Sequence, residues 1–143
     1  MAIRRKISET EGAAAIAQVS GALPTVPAAQ SNSAEAFTAY HAEHEATFKG
    51  LPRGVRATAV RFLLEELATL APGNSVEVRV PPLGVTQCIA GPRHTRGTPP
   101  NVVETDGLTW VLVGLGYFTW TAAATSIAAS GSRSDLTEHM PIL

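Results

Sequence analysis

The hydrophobic period of the chain changes abruptly at its middle. Up to Pro72-Gly73, Val55, Ala59, Phe62, Leu63, Leu67 and Leu70 recur at helical spacing, with Arg56, Arg61, Glu65 and Glu66 on the opposite face. Beyond it, Val76, Val78 and Val80 alternate with Ser75, Glu77 and Arg79, the period of a half-buried strand. The break is physical, because proline blocks the next helical hydrogen bond and restricts the residue before it. Pro81-Pro82-Leu83-Gly84 then reads as a turn into a second strand over residues 85–90, giving a hairpin. Both faces of this second strand carry uncharged side chains, so a helix or a ligand is expected over its outer face.

The flanking segments fit around this centre. Ser8 and Glu11 form a capping box for a helix over residues 9–20 that Gly21 ends. Residues 23–32 read as a mobile Pro/Ala/Ser linker. Asn32 with Glu35 marks a second helix start, followed by a thin stripe of Phe37, Tyr40, His41, His44 and Phe48. Such a stripe must lean on the rest of the protein or on a partner. Residues 102–105 read as a third strand, and Asp106 caps a helix from Gly107 to about Leu115 that Gly116 ends in the left-handed conformation. Thr119 caps a short helix over residues 120–126, residues 127–131 form a short strand, and Asp135 opens a closing helix carrying Leu136, Met140 and Leu143. Helices, then a hairpin, then short strands among helices predict an α+β domain with a mostly antiparallel sheet.

Composition narrows the function classes. A chain of 143 residues, 45% hydrophobic and 16% charged, suits one folded domain. A formal net charge of -1 lacks the cationic excess that non-specific nucleic-acid binding needs. The single cysteine, Cys88, excludes an internal disulfide and a multi-cysteine zinc site, and its strand position reads as a buried, inert thiol. Arg4-Arg5-Lys6 before an alanine-rich run resembles a signal peptide, but Glu9 and Glu11 stand where the apolar segment should begin. No integral membrane segment is read, and a cytoplasmic location is expected.

Several motifs come close to known chemistry and fail. His41-Ala-Glu-His44 would need a histidine at position 48, which is Phe48, to make a zinc helix; a solvated face is the expectation. Gly114-Leu-Gly116 ends a helix where a dinucleotide fingerprint would follow a strand. No metal, cofactor or catalytic constellation is read. The most unusual segment is Gly91-Pro-Arg-His-Thr-Arg-Gly-Thr-Pro-Pro100, whose prolines and glycines present Arg93, His94 and Arg96 together. Guanidinium forks suit carboxylate or phosphate, so this is either an anionic head-group site or a loop paired internally with Glu77, Glu104 or Asp106. Trp110, Phe118 and Trp120 cluster with Leu108, Leu112, Leu115 and Ile127. They are either packed core or the wall of an apolar ligand cavity.

From Ser75 onward the order of elements resembles the sterol carrier protein family, a lipid-transfer fold. Val76-Glu-Val-Arg-Val-Pro-Pro82, the loop from Gly91 through Asp106, and Ala129-Ser-Gly-Ser-Arg-Ser-Asp-Leu136 are similar to its actinobacterial branch, and residues 56–72 add the preceding helix. The resemblance covers about half the chain and leaves residues 1–50 unplaced. It implies a curved sheet of about five strands covered by helices that enclose an apolar tunnel. It places the family-like domain over residues 51–143; residues 1–50 read from their own pattern as an N-terminal helical arm with a Pro/Ala-rich linker. Ser126, where the family usually has glycine, and a short segment over residues 123–131 bear on tunnel length. Trp110, Leu112, Leu115, Phe118, Trp120, Ile127 and Met140 are expected to line the cavity, with Arg93, His94 and Arg96 at an anionic head. The implied function is non-enzymatic binding or transfer of a sterol, fatty acid or acyl thioester. The alternatives are an accessory module of a thiol-dependent isomerase and a structural protein with a filled core that dimerises through its N-terminal arm.

Overall fold

A computed structural model describes residues 6–91 and 100–143. Helix α1 (Glu9–Ala22) begins at Ser8, whose Oγ accepts from the Glu11 N–H at 3.1 Å. Gly21 does not end it, since the helix runs through to Ala22. Helix α2 (Ala34–Gly50) is capped by Ser33, one residue after the expected Asn32. Helix α3 (Arg53–Leu70) buries Ala59, Phe62, Leu63 and Leu67 as its stripe requires, and Val60 and Leu64 beside them, which the stripe did not include. Leu70 is an exception: as the last residue of the helix it has passed the core and is 63% exposed.

The sheet has four strands, β1 (Val76–Val80), β2 (Gly84–Cys88), β3 (Asn101–Thr105) and β4 (Ile127–Ser130), in the order β2-β1-β3-β4. Among the described residues the strand count is four, where five were expected. The sheet is mixed: β1–β2 and β3–β4 pair antiparallel, while β1 and β3 run parallel with Val78 opposite Val103. Strand β2 stops at Cys88, two residues early, because Ile89 takes φ 64°, outside the extended region. Hydrogen bonds hold it there, from its N–H to the Ala71 carbonyl at 2.7 Å and to its carbonyl from the Ser75 N–H at 3.0 Å.

Helix α4 (Gly107–Gly114) follows β3 and is buried along its whole length. Asp106 caps it and Gly116, at φ +77°, turns the chain out of it, both as the sequence predicts. After Thr119, whose Oγ1 accepts from the Ala122 N–H at 3.1 Å, the backbone makes turns and a short 3-10 segment, Ala124–Ser126, in place of the expected helix. The closing helix is likewise reduced to a 3-10 turn, Thr137–His139. Asp135 ties its Oδ1 to the Thr137 N–H and hydroxyl, and Pro141 can donate no helical hydrogen bond.

One core joins all of these elements. Val76, Val78, Val80 and Val103 point from the sheet toward α3 and α4, while Glu77, Arg79, Val102 and Glu104 occupy the other face. Helix α1 packs on α3 at Gly12, where an added Cβ would stand 2.1 Å from the Phe62 ring. Val19, Leu23, Phe37 and Phe48 belong to the same buried cluster as Trp110 and Leu112. The segment read as a mobile linker is tied down at several points. Leu23 is buried, the Tyr40 hydroxyl donates to the Pro24 carbonyl at 2.6 Å, and Thr119 Oγ1 donates to Asn32 Oδ1 at 2.6 Å.

Candidate functional site

The residues expected to line a cavity fall into two groups. Trp110, Leu112, Phe118 and Trp120 are buried in the core, and Leu115, Ile127 and Met140 are partly buried and packed against it. The Trp110 Nε1–H donates to the Val60 carbonyl at 3.3 Å, which locks the indole between α4 and α3. The Phe118 ring meets Phe37 edge-on, with centroids 5.4 Å apart, and lies 5.5 Å from Tyr40. Burial pushes the Tyr40 phenol up to about 12, helped by Tyr117 and Glu43 nearby. The C-terminal residues close this end of the core. The Ile142 and Leu143 N–H groups both donate to the Gly114 carbonyl, at 2.8 and 3.1 Å, and Pro141 lies against Gly116. Arg93, His94 and Arg96 lie outside the described residues. Of the carboxylates named as partners for that loop, Glu77 Oε2 accepts from Arg79 Nε at 2.6 Å and Asp106 is engaged by His41.

That engagement was not legible in the sequence. His41 and His44 do not converge: His44 Nδ1 lies 2.9 Å from the Tyr40 carbonyl and its ring stacks on Tyr40. Nor is His41 a solvated residue, because its ring is held between two acids, with Nε2 2.9 Å from Asp106 Oδ2 and Nδ1 3.3 Å from Glu45 Oε2. Lys49 extends the chain, reaching Glu45 Oε1 at 2.8 Å, and its hydrogen bond holds the Glu45 carboxyl below its ordinary range. Asp106 also receives the Thr109 N–H at 3.0 Å and the Thr109 hydroxyl at 2.6 Å. Burial works to raise its pKa, but the hydrogen bonds from Thr109 and His41 outweigh this and lower it. The group thus ties α2 to the start of α4. The two partners stand 65 positions apart, and no local motif marks the pair.

Two surface clefts flank this junction and share Pro81 and Asp106. One, of about 450 Å³, includes Glu104, Thr125 and Ile127; the other, of about 280 Å³, includes Phe48, Lys49, Arg56 and Leu83. Of the expected lining residues, Ile127 reaches the larger cleft. Among the described residues no cluster of His, Cys, Asp and Glu is arranged to hold a metal ion. Cys88 is buried, and its thiol is pushed up to about 11 by desolvation, which makes it a poor nucleophile near neutral pH. No helix among the described residues is long and apolar enough to cross a membrane.

The arrangement is therefore an apolar interior between helices and a sheet, with a polar latch at one end and the C-terminal residues across the other. No curated protein matches the chain. Residues 52–142, from the start of α3 through the C-terminal closure, match the family described as bacterial SCP ortholog, and the chain belongs to this sterol carrier protein-like family.

Proposed function

We propose that the protein binds and carries an apolar small molecule, a sterol, fatty acid or acyl thioester, without chemical turnover. The family match over residues 52–142 is the observation that carries this reading. The chemistry of the interior supports it. Trp110, Leu112, Phe118 and Trp120 offer a large aliphatic and aromatic surface, and Leu115, Ile127 and Met140 form its partly exposed margin. The ligand enters at this margin by displacing the C-terminal residues, which two hydrogen bonds to one carbonyl hold in place. Each buried methylene contributes about 0.8 kcal/mol, so a long acyl chain offsets the cost of parting these contacts. Arg93, His94 and Arg96 would receive an anionic head.

The full burial of Trp110 and Leu112 favours a second reading, a structural protein whose core has no guest. One experiment separates them. Delipidated protein is titrated with oleate or cholesterol, followed by tryptophan fluorescence and native mass spectrometry. The carrier reading expects a saturable change from the two tryptophans and a one-to-one adduct mass. A ligand-free mass with unchanged emission overturns it and leaves the filled core.

A further inference from the structure

A third cleft, of about 530 Å³, lies away from the latch and from the C-terminal margin. Its walls are one face of α3, the edge strand β2 and the chain entering α1, contributed by Thr58, Arg61, Leu64, Glu65, Ala68, Val85 and Ile7 among others. It extends beyond the family-matched segment, since Lys6 and Ile7 also line it. Three observations give it chemical character. Glu65 Oε1 accepts from the backbone N–H groups of Lys6 and Ile7, at 2.5 and 3.2 Å, but its other oxygen, Oε2, is buried and has no hydrogen-bond partner among the described residues. A carboxylate oxygen withdrawn from water and left unpaired is costly, and a ligand donor would relieve that cost. Arg61 stands one helical turn before Glu65, donates its Nε–H to the Leu83 carbonyl at 2.6 Å and lines the same cleft. With Lys6 it makes the cleft net positive, two cations against one carboxylate. Leu64 and Ala68 are buried on the same helix, and Val85 opposite them is 60% exposed, leaving apolar wall for a short chain.

We propose that this cleft binds a short aliphatic acid that carries a hydroxyl or ammonium donor a few bonds from its carboxylate. The carboxylate meets the terminal nitrogens of Arg61. The donor turns to the Glu65 carboxylate, whose Oε2 takes the new hydrogen bond while Oε1 keeps the Lys6 and Ile7 N–H groups. The separation follows from the helix, because side chains four residues apart lie ~6 Å from each other at their Cβ atoms. The aliphatic part lies on Leu64, Ala68 and Val85. Gly84 helps shape the site: a Cβ there would press on Leu64 Cδ1 at 3.0 Å and on Arg61 Cγ at 3.1 Å.

The test is calorimetric titration with 3-hydroxyoctanoate, with octanoate as the donor-free control. The wild-type chain is expected to favour the hydroxy acid by about tenfold, the worth of one hydrogen bond to a charged group. Glu65→Gln keeps an acceptor for the Lys6 and Ile7 N–H groups and should erase that preference. Arg61→Gln should weaken both acids and keep their ratio. If Glu65→Gln does not fold, amide shifts in the wild-type protein decide: perturbation confined to Ile7, Glu65, Val85 and Thr86 supports the site. Equal affinity of the two acids, a preference that survives Glu65→Gln, or shifts centred on the Trp110 and Trp120 indoles overturns it. The result is independent of the carrier reading, which is read from the indoles and the adduct mass.

Discussion

At the scale of single residues, Gly12 shows how closely two helices can be made to approach. No backbone conformation there demands glycine, as it lies within α1. What demands it is space: the position of a missing Cβ is 2.1 to 2.5 Å from three carbons of the Phe62 ring. Phe62 is itself buried on α3, so the ring cannot swing into solvent. Gly12→Ala should therefore cost about 1–3 kcal/mol from overpacking, even though alanine is the better helix former. Urea unfolding followed by circular dichroism would show a lower midpoint with an unchanged slope; a raised midpoint would mean that helix propensity outweighs the clash. Sequence reading located some residues of this kind and missed others, for a consistent reason. Asp106 and Gly116 were legible because a cap and a left-handed exit follow from the local chain. Gly12 against Phe62 and His41 against Asp106 were not, because each needs the distance between two segments far apart in sequence.

At the scale of elements, the latch couples the start of α4 to α2, and its charge can be separated from its capping. Asp106 is held as the anion by Thr109 and His41, with its pKa below the ordinary carboxylate value. A depressed carboxylate contributes stability that is complete above its unfolded value and is lost as pH falls through the folded one. Asp106→Ala removes cap and charge together and should cost about 1–2 kcal/mol at pH 7. That cost should shrink progressively below about pH 4, where the wild-type carboxylate also becomes protonated. Asn is as good a cap as Asp, so Asp106→Asn should keep α4 in place and lose only the acid-dependent part. Urea unfolding of the three proteins at pH 7, 5 and 3 reads this directly. A gap between wild type and Asp106→Asn that stays constant across this range would mean that the latch is not electrostatic. Elements with strong periodicity, α3 and β1, were legible for the same reason that they are stable: a regular apolar face meets a regular partner. The C-terminal turns were overread as helices because Thr119 and Asp135 do cap turns, but the segments after them carry too short an apolar stripe to propagate.

At the scale of the whole molecule, the N-terminal helices and the family-matched segment share one interior. The resemblance was carried by residues 75–143, where turn residues and strand patterns recur in a fixed order. The first fifty residues offered only thin stripes, because each of their helices buries few residues and borrows the rest of its contacts. Val19 and Leu23 close on α3 and Tyr117, and Phe37 and Phe48 close on α4 and the aromatic residues after it. Fully burying one such side chain stabilises by about 1.5–3 kcal/mol, so four together approach the ~5–15 kcal/mol stability of an entire domain. A fragment of residues 51–143 should therefore lose its cooperative urea transition and form aggregates visible by light scattering, because its removal of α1 and α2 uncovers the apolar faces of α3 and α4. A sharp transition from a monomeric fragment would instead make the N-terminal helices an accessory layer. The same comparison bears on the carrier reading. A guest housed beneath Trp110 and Trp120 should partly restore the fragment's transition when oleate is present, since binding to the folded form alone raises its stability by mass action.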